Sequence, residues 1–249
     1  MGTVSAISDR PTLRPSHPVS AAIAKQRMLK LLVCSDAHEQ ALRLHGFCSI
    51  AGVDEVGRGA LFGPVVAAAV IMPDQIAPFA CAGLKDSKQL TQAQREALDR
   101  LIRSSAVAIA IAEVDAATID RVNIYQATRL AMLAAVRALP FAPDHLLIDA
   151  MQLDLSELAH PCAQTRLIYG DALSLSIAAA SVVAKVYRDR LMRALDADHP
   201  GYGLAAHKGY ATAQHRRALN TLGPTPLHRM SFAPVKACSP PSLPFSSSS

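Results

Sequence analysis

The sequence contains no tryptophan, and aromatic residues make up only 4% of its 249 residues. A core must therefore be built from Ala, Leu, Ile and Val, and the hydrophobic content of 51% is enough to supply one. The length suits one sizeable domain, or one domain with an extension.

Cysteine is scarce, and the spacing of the five residues indicates neither a disulfide framework nor a zinc site. They are Cys34, Cys48, Cys81, Cys162 and Cys238. An odd number of isolated thiols is typical of a reducing compartment. No secretory pattern is visible at the N-terminus, and apolar runs such as 64–72 are far too short to span a membrane. We therefore expect a cytoplasmic protein that does not bind membranes, and we expect a monomer.

Charged residues make up only 18% of the sequence, so an acid in an apolar setting is informative. Lys and Arg together number 25 and Asp and Glu number 20, which gives a net charge of +5. This excess permits a polyanionic partner such as a nucleic acid but does not establish one.

The most informative stretch is IAGVDEVGRGALFGPVVAAAVIM, in which Asp54 and Glu55 are adjacent and Gly57, Arg58 and Gly59 follow. Burying an unpaired carboxylate costs several kcal/mol, so two neighbouring acids in an apolar stretch indicate a bound cation or a cationic partner. The glycine-rich turn brings backbone N–H groups within reach of a phosphate. The combination predicts metal-assisted chemistry on a phosphate ester.

The apolar pattern predicts an α/β fold with a mixed five-stranded sheet flanked by helices. The predicted strands are residues 48–53, 64–72, 106–112, 145–148 and 165–168. The first two are apolar almost throughout, which indicates a sheet covered on both faces. We expect an antiparallel meander first and helical crossovers afterwards.

The predicted helices suggest how the rest of the chain is organised. A capping box at Thr91 and Gln94 opens one helix, Asp115 or Asn123 opens a helical region to Leu139, and residues 172–197 form a long apolar helix. Residues 1–23 are expected to be disordered and 24–46 to be a helical extension, with the helix over 25–44. The catalytic domain is expected over 47–235, with a helical C-terminal region, and 236–249 as a disordered tail.

Two further acids belong with Asp54 and Glu55 by their setting. Asp149 ends a predicted strand, and Asp171 follows another and precedes the long helix. Strand ends gather ligands in open α/β sheets, so the four carboxylates are expected at one rim, where divalent cations would remove their repulsion. The simpler alternatives are that Asp171 is the helix N-cap and that Asp149 faces solvent. Asp54 and Glu55 serve one site only if their strand ends or bulges there, because successive side chains point to opposite faces.

The chain resembles the type 2 ribonucleases H, specifically bacterial ribonuclease HII, over residues 44–235. The resemblance rests on six segments in the right order: AGVDEVGRG, DSKQL, LLIDAM, GDALSLSIAAASVVAKVYRD, YGLAAHKGYAT and GPTPLHRMSF. It implies a ribonuclease H-like fold and hydrolysis of the RNA strand of RNA–DNA hybrids. It also implies cleavage 5′ to a single ribonucleotide embedded in duplex DNA, leaving 3′-hydroxyl and 5′-phosphate ends.

The resemblance also assigns roles to residues. The four acids that bind Mg²⁺ or Mn²⁺, in a two-metal mechanism, fall on Asp54, Glu55, Asp149 and Asp171. The element that contacts the backbone and the 2′-hydroxyl at the RNA–DNA junction falls on Gly57, Arg58 and Gly59, and the junction-sensing tyrosine on Tyr210. Lys88 and Lys185 are secondary candidates for phosphate contact, and Lys185 has the alternative of pairing with a carboxylate of the four.

The sequence departs from the family pattern at Tyr169, where many relatives have Lys, and at Ala150, where some have Gly. Three alternative functions remain. Another nuclease or recombinase of the same fold is disfavoured by the HKGY segment and the Gly57–Gly59 turn. A nucleotide-binding module lacks the P-loop ending and a GxGxxG unit. A non-catalytic hybrid-binding protein is disfavoured because all four acids are retained.

Overall fold

The computed structural model describes residues 23, 31–156 and 158–238. Along the chain, residues 1–32 and 33–249 form two units, and every element described below belongs to the second. The segments predicted to be disordered, 1–23 and 236–249, lie outside the described residues except at their inner edges, so both stay predictions.

A mixed five-stranded sheet forms the centre of the fold, in the order β3-β2-β1-β4-β5. Strand β1 pairs antiparallel with β2, and β2 pairs antiparallel with β3. Strand β4 lies parallel to both β1 and β5. The predicted meander with later crossover strands is therefore confirmed. The strands are β1 (Ile50–Val56), β2 (Val65–Ile71), β3 (Ala108–Val114), β4 (His145–Asp149) and β5 (Ala163–Leu167).

Helices cover both faces of the sheet, as the continuous apolar strands predict. Ala51, Val53 and Ala67 share one apolar cluster with residues of helix α5, and Val66 and Ala68 share another with residues of α3 and α6. None of the described helices is long and apolar enough to cross a membrane. The helices are α1 (Ala37–Leu44), α2 (Ala77–Cys81), α3 (Gln92–Ser105), α4 (Ala116–Val122), α5 (Ile124–Arg137), α6 (Leu175–Asp198), α7 (Leu204–His207), α8 (Ala213–Leu222) and α9 (Ala233–Lys236).

The start of α6 is fixed by a hydroxyl cap and by close packing on β1. Ser174 Oγ accepts a hydrogen bond from the Ile177 backbone N–H at 3.2 Å. A Cβ at Gly52 would lie 2.1 Å from the Ser176 carbonyl carbon, so only glycine lets the helix approach the strand this closely. Asp171 lies earlier, in a 3₁₀ turn, and the alternative interpretation of Asp171 as the helix N-cap is therefore wrong.

The helix predicted over 25–44 differs from the structure. Residues 25–30 lie outside the described residues, residue 31 is helical, residues 32–36 are not, and helix α1 covers Ala37–Leu44. A buried acid on α1, Glu39, accepts hydrogen bonds from Ser174 Oγ at 2.6 Å and from the Ser176 N–H at 2.9 Å. Helix α1 thus supports the first turn of α6, where backbone N–H groups favour a negative charge.

Candidate active site

The sheet brings Asp54 and Asp149 to the same edge. The parallel pairing of β1 and β4 ends with Val53 opposite Ile148, so Asp54 and Asp149 are the next residues of adjacent strands. Strand β4 ends at Asp149, whereas β1 continues to Val56. A gap beyond the end of β4 is therefore flanked by a longer neighbouring strand that carries acids.

The end or bulge expected between Asp54 and Glu55 is absent from β1. The antiparallel pairing with β2 continues without interruption through Asp54 opposite Ala68, Glu55 opposite Ala67 and on to Val56. Asp54 is buried, at 3% exposure, while Glu55 is half-buried. The two carboxylates still interact electrostatically, because the charge of Glu55 raises the pKa of Asp54. Termination of β4, rather than distortion of β1, makes room for the site.

A tight turn places Asp171 beside Asp149. The Gly170 N–H donates a hydrogen bond to Asp149 Oδ1 at 2.7 Å. A Cβ at Gly170 would lie 2.6 Å from Ile177 Cδ1 and 3.3 Å from Asp149 Oδ1, so a larger residue would require these side chains to shift. The predicted grouping of Asp149 with Asp171 therefore has a backbone cause.

We refer to Asp54, Glu55, Asp149 and Asp171 as the acidic cluster. Burial raises the pKa of Asp54 well above its ordinary value, and the charges of Glu55, Asp149 and Asp171 raise it further. Burial, then the charge of Asp171, raises the pKa of Asp149 to about 6. The pKa values of Glu55 and Asp171 are also raised by burial. Such mutual perturbation is typical of functional sites rather than of solvated charged surfaces.

Two basic side chains partly offset the negative charge of the acidic cluster. Lys88 Nζ lies 3.0 Å from Asp171 Oδ2, and Arg58 Nη1 lies 3.5 Å from Glu55 Oε1. The side chain of Lys88 is 75% exposed and that of Arg58 is 41% exposed. Each cation is exposed although its carboxylate is mostly buried, so both basic side chains are accessible to another anion from solvent.

Lys185 does not reach the acidic cluster. Its ammonium pairs with Asp189 Oδ1 at 2.7 Å, four residues further along α6. The alternative of a partner within the four acids is therefore wrong for Lys185. It lies near Lys208, whose pKa its charge lowers, after the larger effects of burial and of neighbouring charges.

The acidic cluster fits a divalent cation by its chemistry. Carboxylate oxygens are hard donors of the kind that Mg²⁺ and Mn²⁺ prefer, and raised pKa values show that their charges are poorly compensated without a cation. In the described part of the chain, no three His, Cys, Asp or Glu side chains already converge in metal-ligating geometry. Metal binding would therefore require the carboxylates to move closer together.

Two serines that sequence reasoning did not assign to the site support Asp54. Ser181, on α6, forms a hydrogen bond with Asp54 that lowers its pKa. Ser181 Oγ also lies 2.9 Å from Ser87 Oγ, and both serines are buried. The turn that contains Ser87 is capped by Asp86, which accepts a hydrogen bond from the Lys88 N–H at 2.9 Å. Ser87 therefore does more than cap a turn, since it connects the DSK segment to Asp54.

The two glycines around Arg58 lie in different surroundings. Gly57 has φ +91, and a Cβ there would lie 2.2 Å from Arg188 Nε. Gly59 has no such constraint, because the nearest atom to a Cβ there is Tyr210 Cε1 at 3.9 Å. Packing within the protein therefore requires glycine at position 57, whereas the space beside Gly59 and Tyr210 is open to a ligand.

Tyr210 lies against the β1–β2 loop, residues 57–64. Its backbone forms an antiparallel bridge with Ala60, and the Leu61 N–H donates to the Gly209 carbonyl at 2.8 Å. The Tyr210 carbonyl lies 3.1 Å from Nδ1 of the buried His215. The structure thus brings Tyr210 to the turn that the sequence paired it with.

A buried pair of histidines supports Tyr210 from behind. His215 Nε2 lies 3.2 Å from His228 Nε2, and the Thr225 N–H donates to His228 Nδ1 at 2.9 Å. Burial, then the proximity of His215, lowers the pKa of His228 to about 4. Burial also lowers the pKa of His215, so both rings favour the neutral form and act as hydrogen-bonding supports.

Known proteins resemble this chain in sequence and in fold. The family model described as ribonuclease HII matches residues 51–235. A relative named ribonuclease HII, from Koribacter versatilis (strain Ellin345), is 53% identical over 237 residues, which cover 93% of this chain and 90% of the relative.

Two solved structures have a similar fold. The ribonuclease H2 from Pyrococcus horikoshii OT3 matches with a TM-score of 0.67 at 24% identity, over 77% of this chain and 97% of that one. Bst-RNase HIII in complex with Mn²⁺ matches with a TM-score of 0.60 at 25% identity, over 76% of this chain and 68% of that one. The mixed sheet flanked by helices is thus the ribonuclease H-like fold predicted from the sequence.

Proposed function

Because the chain belongs to the ribonuclease HII family and is an endoribonuclease, we propose that it cuts at ribonucleotides paired with DNA. It hydrolyses the RNA strand of RNA–DNA hybrids and cuts 5′ to a single ribonucleotide embedded in duplex DNA. The products carry 3′-hydroxyl and 5′-phosphate ends. The observation that supports this proposal is that the acidic cluster and the open side of Gly59 adjoin through one continuous stretch, residues 54–59.

The acidic cluster would hold two divalent cations, Mg²⁺ or Mn²⁺. When bound, the cations supply an activated water and charge stabilisation for the leaving oxygen. The protein orients its own donors toward them, since the Gly170 N–H holds Asp149 and the hydroxyl of Ser181 holds Asp54. These hydrogen bonds restrict the conformations of Asp149 and Asp54 before substrate arrives, which lowers the cost of assembling the site.

The substrate strand would be held by the basic and glycine residues around the acidic cluster. Arg58 is placed to exchange Glu55 for a phosphate, which a guanidinium can bind through two parallel hydrogen bonds. Lys88 is exposed beside Asp171 and would contact a phosphate near the cations. Lys185 would contribute positive charge further along the strand, although Asp189 shares its ammonium.

The 2′-hydroxyl is the chemical difference between RNA and DNA that this site has to detect. At Gly59 the backbone is approachable, because nothing lies closer than 3.9 Å to the position of a Cβ there. Tyr210 borders the same space and would pack on the sugar that follows the ribonucleotide. A 2′-hydroxyl that hydrogen-bonds to the backbone at Gly59 and a sugar that packs against the Tyr210 ring would together identify the RNA–DNA junction.

The test uses three duplexes of one sequence: all DNA, DNA with one ribonucleotide, and an RNA–DNA hybrid. Each is incubated with chelator, with Mg²⁺ and with Mn²⁺, and the products are mapped to the nucleotide. We expect a single cut 5′ to the embedded ribonucleotide and several cuts in the hybrid RNA strand, both only with a divalent cation. The all-DNA duplex is the matched control for the duplex with one ribonucleotide, since the two differ by one hydroxyl. Its cleavage at a similar rate would contradict the proposal.

A further inference from the structure

Two arginines of this chain are fully buried and donate hydrogen bonds to backbone carbonyls instead of pairing with acids. Arg188 on α6 and Arg229, which follows α8, both have 0% exposure. Within residues 31–156 and 158–238, no ion pair of either guanidinium with a carboxylate is seen. Burying a charge without a counter-ion costs several kcal/mol, and an apolar side chain of similar volume would avoid that cost. Stability alone therefore does not account for two such residues.

Arg188 joins the β1–β2 loop to the segment that carries Tyr210. Its Nε donates to the Pro64 carbonyl at 3.1 Å and its Nη2 to the Phe62 carbonyl at 3.0 Å. Its Nη1 donates to the Lys208 carbonyl at 2.8 Å, two residues before Tyr210. The guanidinium carbon also lies 5.8 Å from the centre of the Tyr210 ring.

Arg229 holds the same loop without reaching Tyr210 by a hydrogen bond. Its Nε donates to the Gly63 carbonyl at 3.0 Å, and its Nη1 donates to the Arg58 carbonyl at 2.8 Å. The Arg229 backbone N–H donates to the Leu61 carbonyl at 2.9 Å. Between them, the two guanidinium groups engage the carbonyls of residues 58, 62, 63 and 64.

The packing at Gly57 connects Arg188 directly to the turn at Arg58. A Cβ at Gly57 would lie 2.2 Å from Arg188 Nε and 2.8 Å from Arg188 Cδ, so the turn rests on the arginine side chain. A planar guanidinium holds its five N–H donors in fixed directions, whereas a lysine ammonium on a flexible stem does not. Arg188 therefore sets how far the turn lies from Tyr210.

We propose that Arg188 is a positioning residue that fixes the turn of Gly57 to Gly59 against Tyr210 and thereby sets selectivity for a ribonucleotide. This inference rests on the proposed function, because it concerns the part of the site that would detect the 2′-hydroxyl. Arg229 fixes the loop from its other side. Neither arginine touches substrate.

The test compares Arg188→Lys and Arg188→Met with a control, Arg190→Lys, in the Asp54→Asn background with divalent cations withheld. Arg190 lies on the same helix, and its side chain is 52% exposed in an ion pair with Asp99. Fluorescence anisotropy gives the ratio of dissociation constants for the all-DNA duplex and the duplex with one ribonucleotide. Circular dichroism and thermal unfolding report whether each variant is folded.

We expect the background protein and Arg190→Lys to prefer the duplex with one ribonucleotide equally. Arg188→Lys should lose about tenfold of that preference, the scale of one or two lost hydrogen bonds to a charged group, while it remains folded. A merely structural role would lower the folded fraction and leave the ratio unchanged.

Three results would overturn the inference. A folded Arg188→Lys with the background ratio would show that Arg188 does not position the turn. Failure of both Arg188 variants to fold would make it a folding residue. A background protein without any preference for the ribonucleotide would contradict the proposed function itself, which separates that failure from the first two.

Discussion

On one side of Val56 the chain buries carboxylates that repel one another. On the other side, two buried guanidinium groups fix a loop by donating hydrogen bonds to its carbonyls. In the acidic cluster, burial and neighbouring charges raise the pKa of Asp54 well above its ordinary value. In the β1–β2 loop, Arg188 donates to the carbonyls of Phe62, Pro64 and Lys208. The two regions adjoin within a few residues.

This contrast reflects two different requirements within one site. Groups that must bind cations are best left short of positive charge, because every internal counter-ion would compete with the metal. Groups that recognise substrate by shape are best fixed in advance, because ordering them on binding would reduce affinity. The acidic cluster should therefore gain stability when charge is removed, and the loop should lose it when a contact is removed.

The largest effect should come from Asp54→Asn. We expect cleavage of a ribonucleotide-containing duplex to fall about a thousandfold or more, because one hard anionic ligand is lost from the cation site. At pH 8 without divalent cations, the same variant should unfold at a higher temperature than the parent, since Glu55, Asp149 and Asp171 lose a buried neighbour of like charge. Single-turnover assays and thermal unfolding measure the two effects.

The control for Asp54→Asn is Asp198→Asn, which removes an exposed carboxylate at the end of α6. It should leave cleavage unchanged. Full activity in Asp54→Asn would contradict the site assignment. A lower unfolding temperature in that variant would contradict the proposed repulsion within the acidic cluster.

The effect of intermediate size should be the difference in stability between Gly57→Ala and Gly59→Ala. We expect Gly57→Ala to lose about 2–4 kcal/mol of stability, because alanine is strained in the left-handed backbone region and its Cβ would overlap Arg188. Gly59→Ala should change stability by less than about 0.5 kcal/mol. It should nevertheless weaken binding of the duplex with one ribonucleotide, since its methyl group enters the open space beside Tyr210.

Urea unfolding and anisotropy measure this pair, and each glycine variant is the control for the other. Equal losses of stability would show that the loop is uniformly packed. Unchanged binding by Gly59→Ala would show that substrate does not approach the backbone there.

Much of the fold follows from local patterns in the sequence. Continuous apolar runs predicted a sheet covered on both faces, and the alternatives Asp115 and Asn123 both proved correct, since each caps its own helix. The pair of Lys185 with Asp189 was not predicted, although a spacing of four residues on a helix is a local signal for it. Elements and short-range contacts are therefore the part that a single sequence reveals.

The contacts that organise the site lie too far apart in sequence for such reasoning. Arg188 donates to carbonyls 124 and 126 residues earlier, and a carbonyl carries no sequence signature of its own. Ser87 and Ser181 are 94 residues apart and meet only when α6 crosses the sheet. The regular course of β1 through Asp54 and Glu55 was missed because the termination of β4 opens the site, and strand ends are poorly defined by sequence.

Ala150 shows how a departure from the family pattern can be read only with the backbone known. Its φ of 52 lies in the left-handed region, where glycine is free of strain and alanine costs about 1 kcal/mol. The glycine of some relatives at this position therefore has a conformational reason. The chain accepts the strain directly after Asp149, where β4 ends.

The smallest effect should be the pH dependence that Asp149 gives to stability. Its pKa is raised from the ordinary value of 3.8 to about 6, so between these values the folded protein holds a proton that the unfolded chain has released. The free energy of unfolding that depends on Asp149 therefore falls as pH rises through this window and stays low above it. At ~1.4 kcal/mol per pKa unit, the loss should be about 2–3 kcal/mol.

Comparison with Asp149→Asn isolates this contribution, because His228 acts in the opposite direction. Its pKa is lowered to about 4, so its contribution to stability rises with pH in both proteins and cancels in their difference. Urea unfolding in chelator should show the parent losing stability relative to Asp149→Asn between pH 4 and pH 7. Addition of Mg²⁺ or Mn²⁺ at pH 7 should restore the stability of the parent and should raise the stability of Asp149→Asn less. If the difference in free energy of unfolding between the two proteins does not change with pH, Asp149 is solvated. The acidic cluster would then not be short of positive charge, and its contrast with the fixed loop would be wrong.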